Sequence, residues 1–215
     1  MYTIKKVFYR VLRYTYLLRT RAKNRNTDFT LISQNCIGGV IYKNLGLEFK
    51  SPTIGMFIEG ENFIKLVQNF KYYMSIKAVP LNDEYIDPID SSIHYPKIAV
   101  GDLEICCLHY KNCEDAIDAW ERRRKRINYD KIYVLGNSWN MHSDELLVKK
   151  LFEVSPYKTA VFVTKECNCE GAILLPGDYW HLDNRGIVRP NITDNMPRGF
   201  HKYFETFFDY VSWLN

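Results

Sequence analysis

The sequence predicts an α/β fold, a three-layer α/β/α arrangement around a mixed, mostly parallel sheet, with a basic amphipathic helix at its N-terminus. Three features predict it. Apolar runs of strand length recur at residues 29–33, 53–58, 131–135 and 159–164. Stretches with apolar residues three and four apart lie between them, and glycine-containing turns separate the two kinds. Such alternation is the pattern of a largely parallel sheet covered on both faces.

The 215 residues, 47% hydrophobic and 25% charged, suit one α/β domain over residues 27–215 behind a segment at 1–26. That balance excludes a disordered, collagenous or coiled-coil chain. No run reaches the roughly 18 to 20 apolar residues of a membrane-spanning helix. Lys5, Lys6, Arg10 and Arg13 break up what would otherwise resemble a secretory signal, so a cytoplasmic location is expected. The 6 cysteines are too dispersed for a disulfide framework and are expected to be reduced.

Charge is concentrated at the front. Residues 1–26 hold 8 basic and no acidic side chains, against 21 basic and 25 acidic in the remainder. On a helical wheel Ile4, Val7, Phe8, Val11, Leu12, Thr15 and Leu18 share one side, and Lys5, Lys6, Arg10 and Arg13 the other. Two placements suit this helix: an anionic membrane surface on the inner face of the cell membrane, or a groove on its own domain. Nucleic acid is not expected, since no recognition motif accompanies the basic stretch.

The elements follow in order. Residues 29–33 read as a buried strand, and Gln34 to Gly39 as a turn into a helix that runs through Leu45 and is ended by Gly46. Residues 53–58 read as a second strand, repeating this unit in outline, followed by a helix with Phe63, Leu66, Val67, Phe70 and Tyr73 inward. Residues 81–95 lack periodicity and read as a surface excursion. Residues 97–100 and 103–110 form a hairpin around Gly101-Asp102. Residues 113–127 form a helix from Asn112, with Ala116, Ile117, Ala119 and Trp120 inward. Ser143 is an N-cap candidate for a helix over 143–154, strands follow at 159–164 and 172–175, and an aromatic helix over 203–214 must dock.

Three places carry candidate chemistry. The first is the turn after the first strand, because ligands in open α/β sheets collect at the carboxyl ends of strands. Gln34, Asn35, Gly38 and Gly39 are its ligand-binding candidates, with Asn35 as helix cap and the glycines as packing residues the structural alternative. The second is Cys36, whose thiolate a helix N-terminus would stabilise for nucleophilic attack. Spacing does not choose its base among His94, His109, His142, His181 and His201, and a buried structural cysteine is the alternative. The third is Asp102 with Glu104, whose carboxylates share a face of an extended segment and suit Mg²⁺ or Mn²⁺. A metal there would hold the diphosphate of a nucleotide sugar, while a solvated turn explains the same pair. His109 falls on the opposite face from Glu104 unless a bulge intervenes. Arg123, in the run Arg122 to Arg126, suits phosphate or a solvated helix end. Cys167-Asn168-Cys169 is too short for a zinc arm, and no zinc, nicotinamide or flavin is expected.

Four segments resemble a bacterial family, the domain of unknown function 1919, often labelled exopolysaccharide biosynthesis protein. They are Phe29-Thr30-Leu31-Ile32-Ser33-Gln34-Asn35-Cys36-Ile37-Gly38-Gly39, Ser51-Pro52-Thr53-Ile54-Gly55-Met56-Phe57-Ile58, Gly101-Asp102-Leu103-Glu104-Ile105 with Leu108-His109-Tyr110, and Ala119-Trp120-Glu121-Arg122-Arg123 with Arg126-Ile127-Asn128. The likeness covers about residues 28–214. It implies an α/β/α fold and a setting in capsule or exopolysaccharide assembly, without an established reaction.

The resulting expectation is a metal-dependent glycosyltransferase, with Asp102 and Glu104 as catalytic metal ligands and a nucleotide sugar or glycan intermediate as partner. The alternatives are a cysteine-dependent acyltransferase or hydrolase of surface glycans, with Cys36 and a histidine such as His109, and a non-enzymatic scaffold or glycan-binding module.

Overall fold

The computed structural model describes the chain except residues 1, 88–89, 178–179, 184–185, 191, 195 and 197–199, and the side chains of residues 2–6, 181 and 188. The expected α/β fold is present. Strands β1 (Thr30–Ser33), β5 (Ile132–Asn137), β6 (Lys158–Val163) and β7 (Ala172–Leu174) form a parallel sheet in the order β1-β5-β6-β7. A second, antiparallel sheet joins β2 (Val79–Ile86), β3 (His94–Val100) and β4 (Leu103–Cys106), and β8 (Trp180–Leu182) pairs with β9 (Val188–Pro190).

Successive residues of the parallel strands feed opposite faces, as the pleat requires. Leu31, Leu135 and Phe162 join a core with helix α2 (Ile37–Leu45) and the C-terminal helix α7 (Tyr210–Leu214). Ile32, Val134 and Val161 join a second core with α3 (Gly60–Gln68), α4 (Phe70–Ser75) and α6 (Glu145–Val154), which continues into the antiparallel sheet and α5 (Cys113–Arg124) through Ile98, Ile105 and Trp120. The two cores make the three layers.

Local signals explain many boundaries. Gly46, at φ 70°, ends α2 in the left-handed region that glycine adopts without strain. The side chain of Asn112 accepts from Asp115 N and starts α5. All six cysteines are free thiols.

Four expectations are corrected. Residues 53–58 are buried but turn-like; only Phe57 pairs, through a bridge to Cys106, so the first unit is not repeated. Residues 81–95 are not an excursion: β2 and β3 pair across them, and β2 is an exposed edge strand, which removes the apolar alternation that would mark it. Asp144, not Ser143, caps α6 by accepting from Leu146 N, while Ser143 sits at φ 57°. The aromatic C-terminal stretch is a 3-10 turn at Tyr203–Thr206 followed by α7, broken where the Asp209 side chain caps the last helix.

The N-terminal helix α1 (Tyr2–Lys23) docks on its own domain. Arg13 reaches Glu205 and Asn44, and Arg21 donates to the carbonyl of Asn44. Tyr16 stacks edge-on to His201. The docking face is thus Arg13, Tyr16 and Thr20, while Val7, Phe8, Val11 and Leu18 of the predicted apolar side remain exposed, Phe8 by 59%. No described helix is long and apolar enough to cross a membrane.

Candidate active site

The turn after β1 is built by short polar side chains. Ser33 Oγ donates to Asn35 O and accepts from Gly38 N, while Asn35 Oδ1 accepts from Ile37 N at 3.0 Å. These bonds absorb amides that a helix start leaves unpaired. They hold Cys36 as the residue that immediately precedes α2. Gly38 presses on β1: a Cβ there would come within 2.6 Å of Ser33 Cβ, so its place requires glycine.

On the other side, the chain turns after β4 and brings back His109. Its N–H donates to Gly55 O, and Gly55 itself has φ 80°, a conformation L side chains rarely adopt, where a Cβ would also press on Tyr110 at 3.3 Å. The outcome is one short contact: Cys36 Sγ lies 2.9 Å from His109 Nε2. Among the other histidines, His94 faces Glu84, His142 faces Glu59 and His201 lies against Tyr16 and Glu205; the His181 side chain is outside the described residues.

This pair opens on a cavity of about 460 Å³ whose wall includes Gly39, Lys43, Phe49, Arg123 and Lys202. Arg123 is fixed there by bonds from Nη1 to Ile54 O and the Tyr110 hydroxyl, both 2.6 Å, and by stacking on Phe49. Three cationic side chains therefore share a wall with a thiol and an imidazole.

Burial raises the Cys36 thiol above its ordinary range, and Lys43 opposes this. Burial, then the charge of Lys43, lowers His109. Both shifts favour uncharged forms, so the resting pair at neutral pH is thiol and neutral imidazole. Neither shift favours the thiolate expected from the helix end.

The other sequence candidates lie elsewhere. Gln34 is fully buried and ties strands together: its Oε1 accepts from Asn137 N. Asp102 is outside the cavity, bonded to Lys65 and to the Tyr73 hydroxyl at 2.9 Å each. The Lys65 bond, then the Tyr73 bond, holds its carboxyl below the usual range. Glu104 pairs with Lys97, which also holds Asp83. The paired acids are thus each taken by lysine, and no group of three or more His, Cys, Asp or Glu side chains gathers as a metal set among the described residues. Cys167 and Cys169 face each other, with Sγ atoms 3.1 Å apart.

Lys43 and Lys202 were not singled out by sequence. Lys43 had a signal: Cys36, Gly39, Val40 and Lys43 follow the spacing of one helix face. Lys202, remote in sequence from the dyad, had none.

Comparison with known proteins agrees with the sequence resemblance at the level of family. An uncharacterized protein of Haemophilus influenzae is 24% identical over 197 residues, which is 90% of this chain and 87% of that protein. A family model described as a domain of unknown function (DUF1919) matches residues 7–215, which extends the likeness into α1. The chain belongs to the DUF1919 family.

Proposed function

We propose that the protein is a cysteine-dependent acyltransferase or hydrolase, with Cys36 as nucleophile and His109 as general base. One observation carries this: Cys36 Sγ and His109 Nε2 stand 2.9 Å apart on the wall of an open cavity. That is the nucleophile–base geometry of covalent acyl transfer. The Cys36 S–H proton passes to His109 Nε2 as sulfur bonds to the acyl carbon. The bond from that carbon to the leaving group breaks, and the leaving group takes the proton from His109. A second hydroxyl, of a glycan or of water, then attacks the thioester, losing its proton to His109 and releasing the thiolate, which is reprotonated.

Lys43, Arg123 and Lys202 would hold an anionic acyl donor and stabilise charge developing on the acyl oxygen. The proposed acceptor is a surface glycan or its precursor; the resemblance to proteins labelled for exopolysaccharide biosynthesis supports that class. The proposed location is the inner face of the cell membrane, supported by the exposed apolar stripe of α1 and the basic charge of residues 1–26.

Intact mass measured after incubation with acetyl phosphate and with p-nitrophenyl acetate tests the chemistry. One acetyl group should be added in the wild type and none in Cys36→Ala, with labelling slowed at least about 100-fold in His109→Ala. Equal labelling of Cys36→Ala would defeat the proposal. Metal-dependent glycosyl transfer by Asp102 and Glu104 is the weaker proposal, because both carboxylates are engaged by lysines outside the cavity. Mn²⁺-dependent binding of a nucleotide sugar, lost in Asp102→Asn, would restore it.

A further inference from the structure

A second, smaller pocket of about 110 Å³ lies behind the dyad. Asn35 and Leu108 line it, while the residues that follow them, Cys36 and His109, line the large cavity. The same two backbone segments thus separate the two spaces. Phe57 and Trp139 supply aromatic surface to the small pocket, and Asn140 and Arg189 its polar edge.

The polar edge ends a chain of buried amides whose orientation is fixed. Gln34 Oε1 accepts from Asn137 N, Asn137 Oδ1 accepts from Asn140 N, each at 2.9 Å, and Asn140 Oδ1 accepts from Arg189 Nη1 at 3.5 Å. Every amide oxygen is therefore committed to an N–H donor. What remains over is donors only: among the described residues Gln34 Nε2, Asn137 Nδ2, Asn140 Nδ2 and Arg189 Nη2 have no hydrogen-bond partner, and of these Asn140 and Arg189 line the pocket. Gln34 is 0%, Asn137 1% and Asn140 2% exposed, so bulk water does not serve them. Buried donors without acceptors are rare in folded proteins and need an explanation.

Arg189 does not make this an anion site. Its Nε pairs with the buried Asp183 carboxylate at 2.6 Å, which offsets its charge, and Asp87 adds a further carboxylate to the pocket lining. Unfilled N–H donors beside aromatic faces, without excess positive charge, match the hydroxyl oxygens and C–H faces of a neutral sugar. The contrast with Lys43, Arg123 and Lys202 on the other side is one of charge.

We infer that the pocket formed by Asn35, Phe57, Leu108, Trp139, Asn140 and Arg189 is a carbohydrate subsite that binds one neutral sugar unit. The role as acceptor subsite rests on the acyl-transfer proposal; the binding does not. The sugar hydroxyls accept from Asn140 Nδ2 and Arg189 Nη2 and approach the dyad from the side opposite the anionic donor.

The test uses full-length protein carrying Cys36→Ala, in which no acylation occurs, and saturation-transfer NMR with the methyl glycosides of glucose, galactose, mannose and N-acetylglucosamine. At least one should bind, and its affinity should fall tenfold or more when Asn140→Asp exchanges the free donor for an acceptor while keeping the shape. Leu108→Trp, which fills the pocket from its rim without touching the amide chain, should do the same. Melting temperature of each variant shows whether it folds, and either folded variant suffices. Binding by none of the four glycosides, unchanged binding in the folded variants, or binding of acetate in preference to all four would overturn the inference. If glycosides bind as expected but Cys36 of the wild type takes no acyl group, the transfer proposal falls and the subsite stands.

Discussion

Lys43 lies two turns along α2 from Cys36 on the same face, and its charge acts on both members of the dyad, drawing the Cys36 thiol and the His109 imidazole downward together. The two effects have opposite uses. A lower thiol ionisation helps form the nucleophile, whereas a lower imidazole ionisation weakens the base but keeps it unprotonated. Burial is the larger cause of both shifts, raising the thiol and lowering the imidazole, and the cation adjusts the pair within the range that burial gives.

Replacing Lys43 by Met should move both ionisations upward. Iodoacetamide should then label Cys36 about threefold more slowly at pH 7, the scale of an exposed charge worth about 0.6 kcal/mol. Lys43→Arg should restore the rate. Mass-spectrometric labelling across pH reads this directly, and an unchanged profile in Lys43→Met would show that the charge does not reach the sulfur.

The pH dependence of acylation has a definite sign. His109 must be neutral to accept the thiol proton, and burial first and Lys43 second hold its ionisation below the ordinary histidine value of 6.5. The base form therefore persists into mildly acidic solution. Acylation of Cys36 should stay level from neutral pH down past that value and decline only below it. A rate that already halves above neutrality would contradict the assignment of His109 as base.

Two glycines should respond differently to the same change. Gly38→Ala drives a methyl group into Ser33 on β1, where the separation would be 2.6 Å, and should cost about 1–3 kcal/mol of stability. Gly55→Ala places alanine at φ 80° against the Tyr110 ring, beside the carbonyl that holds His109 N. It should reduce acylation more than its loss of stability explains. Denaturant unfolding together with labelling kinetics separates the two effects.

The exposed stripe of α1 should act at a membrane surface. Val11→Asp with Leu18→Asp should abolish co-sedimentation with vesicles containing phosphatidylglycerol and leave the melting temperature within about 2 °C, since both side chains face solvent. Arg13→Ala should instead destabilise the docked helix by about 1.5–3 kcal/mol, because the fully buried Glu205 side chain loses its charged partner. Equal vesicle binding by the double variant would exclude this stripe as the contact.

Much of the molecule is written in local sequence. Apolar runs marked β1, β5 and β6; Gly46 and Asn112 marked helix ends; and Cys36 was placed at the helix entrance by the glycine turn that follows it. These are legible because capping, glycine conformation and the burial of strands act within a few residues. The exposed β2 was not, since an edge strand with a solvated face carries no apolar pattern.

The site itself was decided by tertiary structure. Asp102 and Glu104 are neighbours in sequence, yet Lys65 and Lys97, from other elements, take their carboxylates. Cys36 and His109 are 73 residues apart, yet the turn after β4 brings them to 2.9 Å. Sequence by itself determined the layered α/β fold, the family and the residue types available for chemistry. Which of them meet depended on how the two sheets pack, because contact between distant side chains follows from the burial of both cores and leaves no mark in the local order of residues.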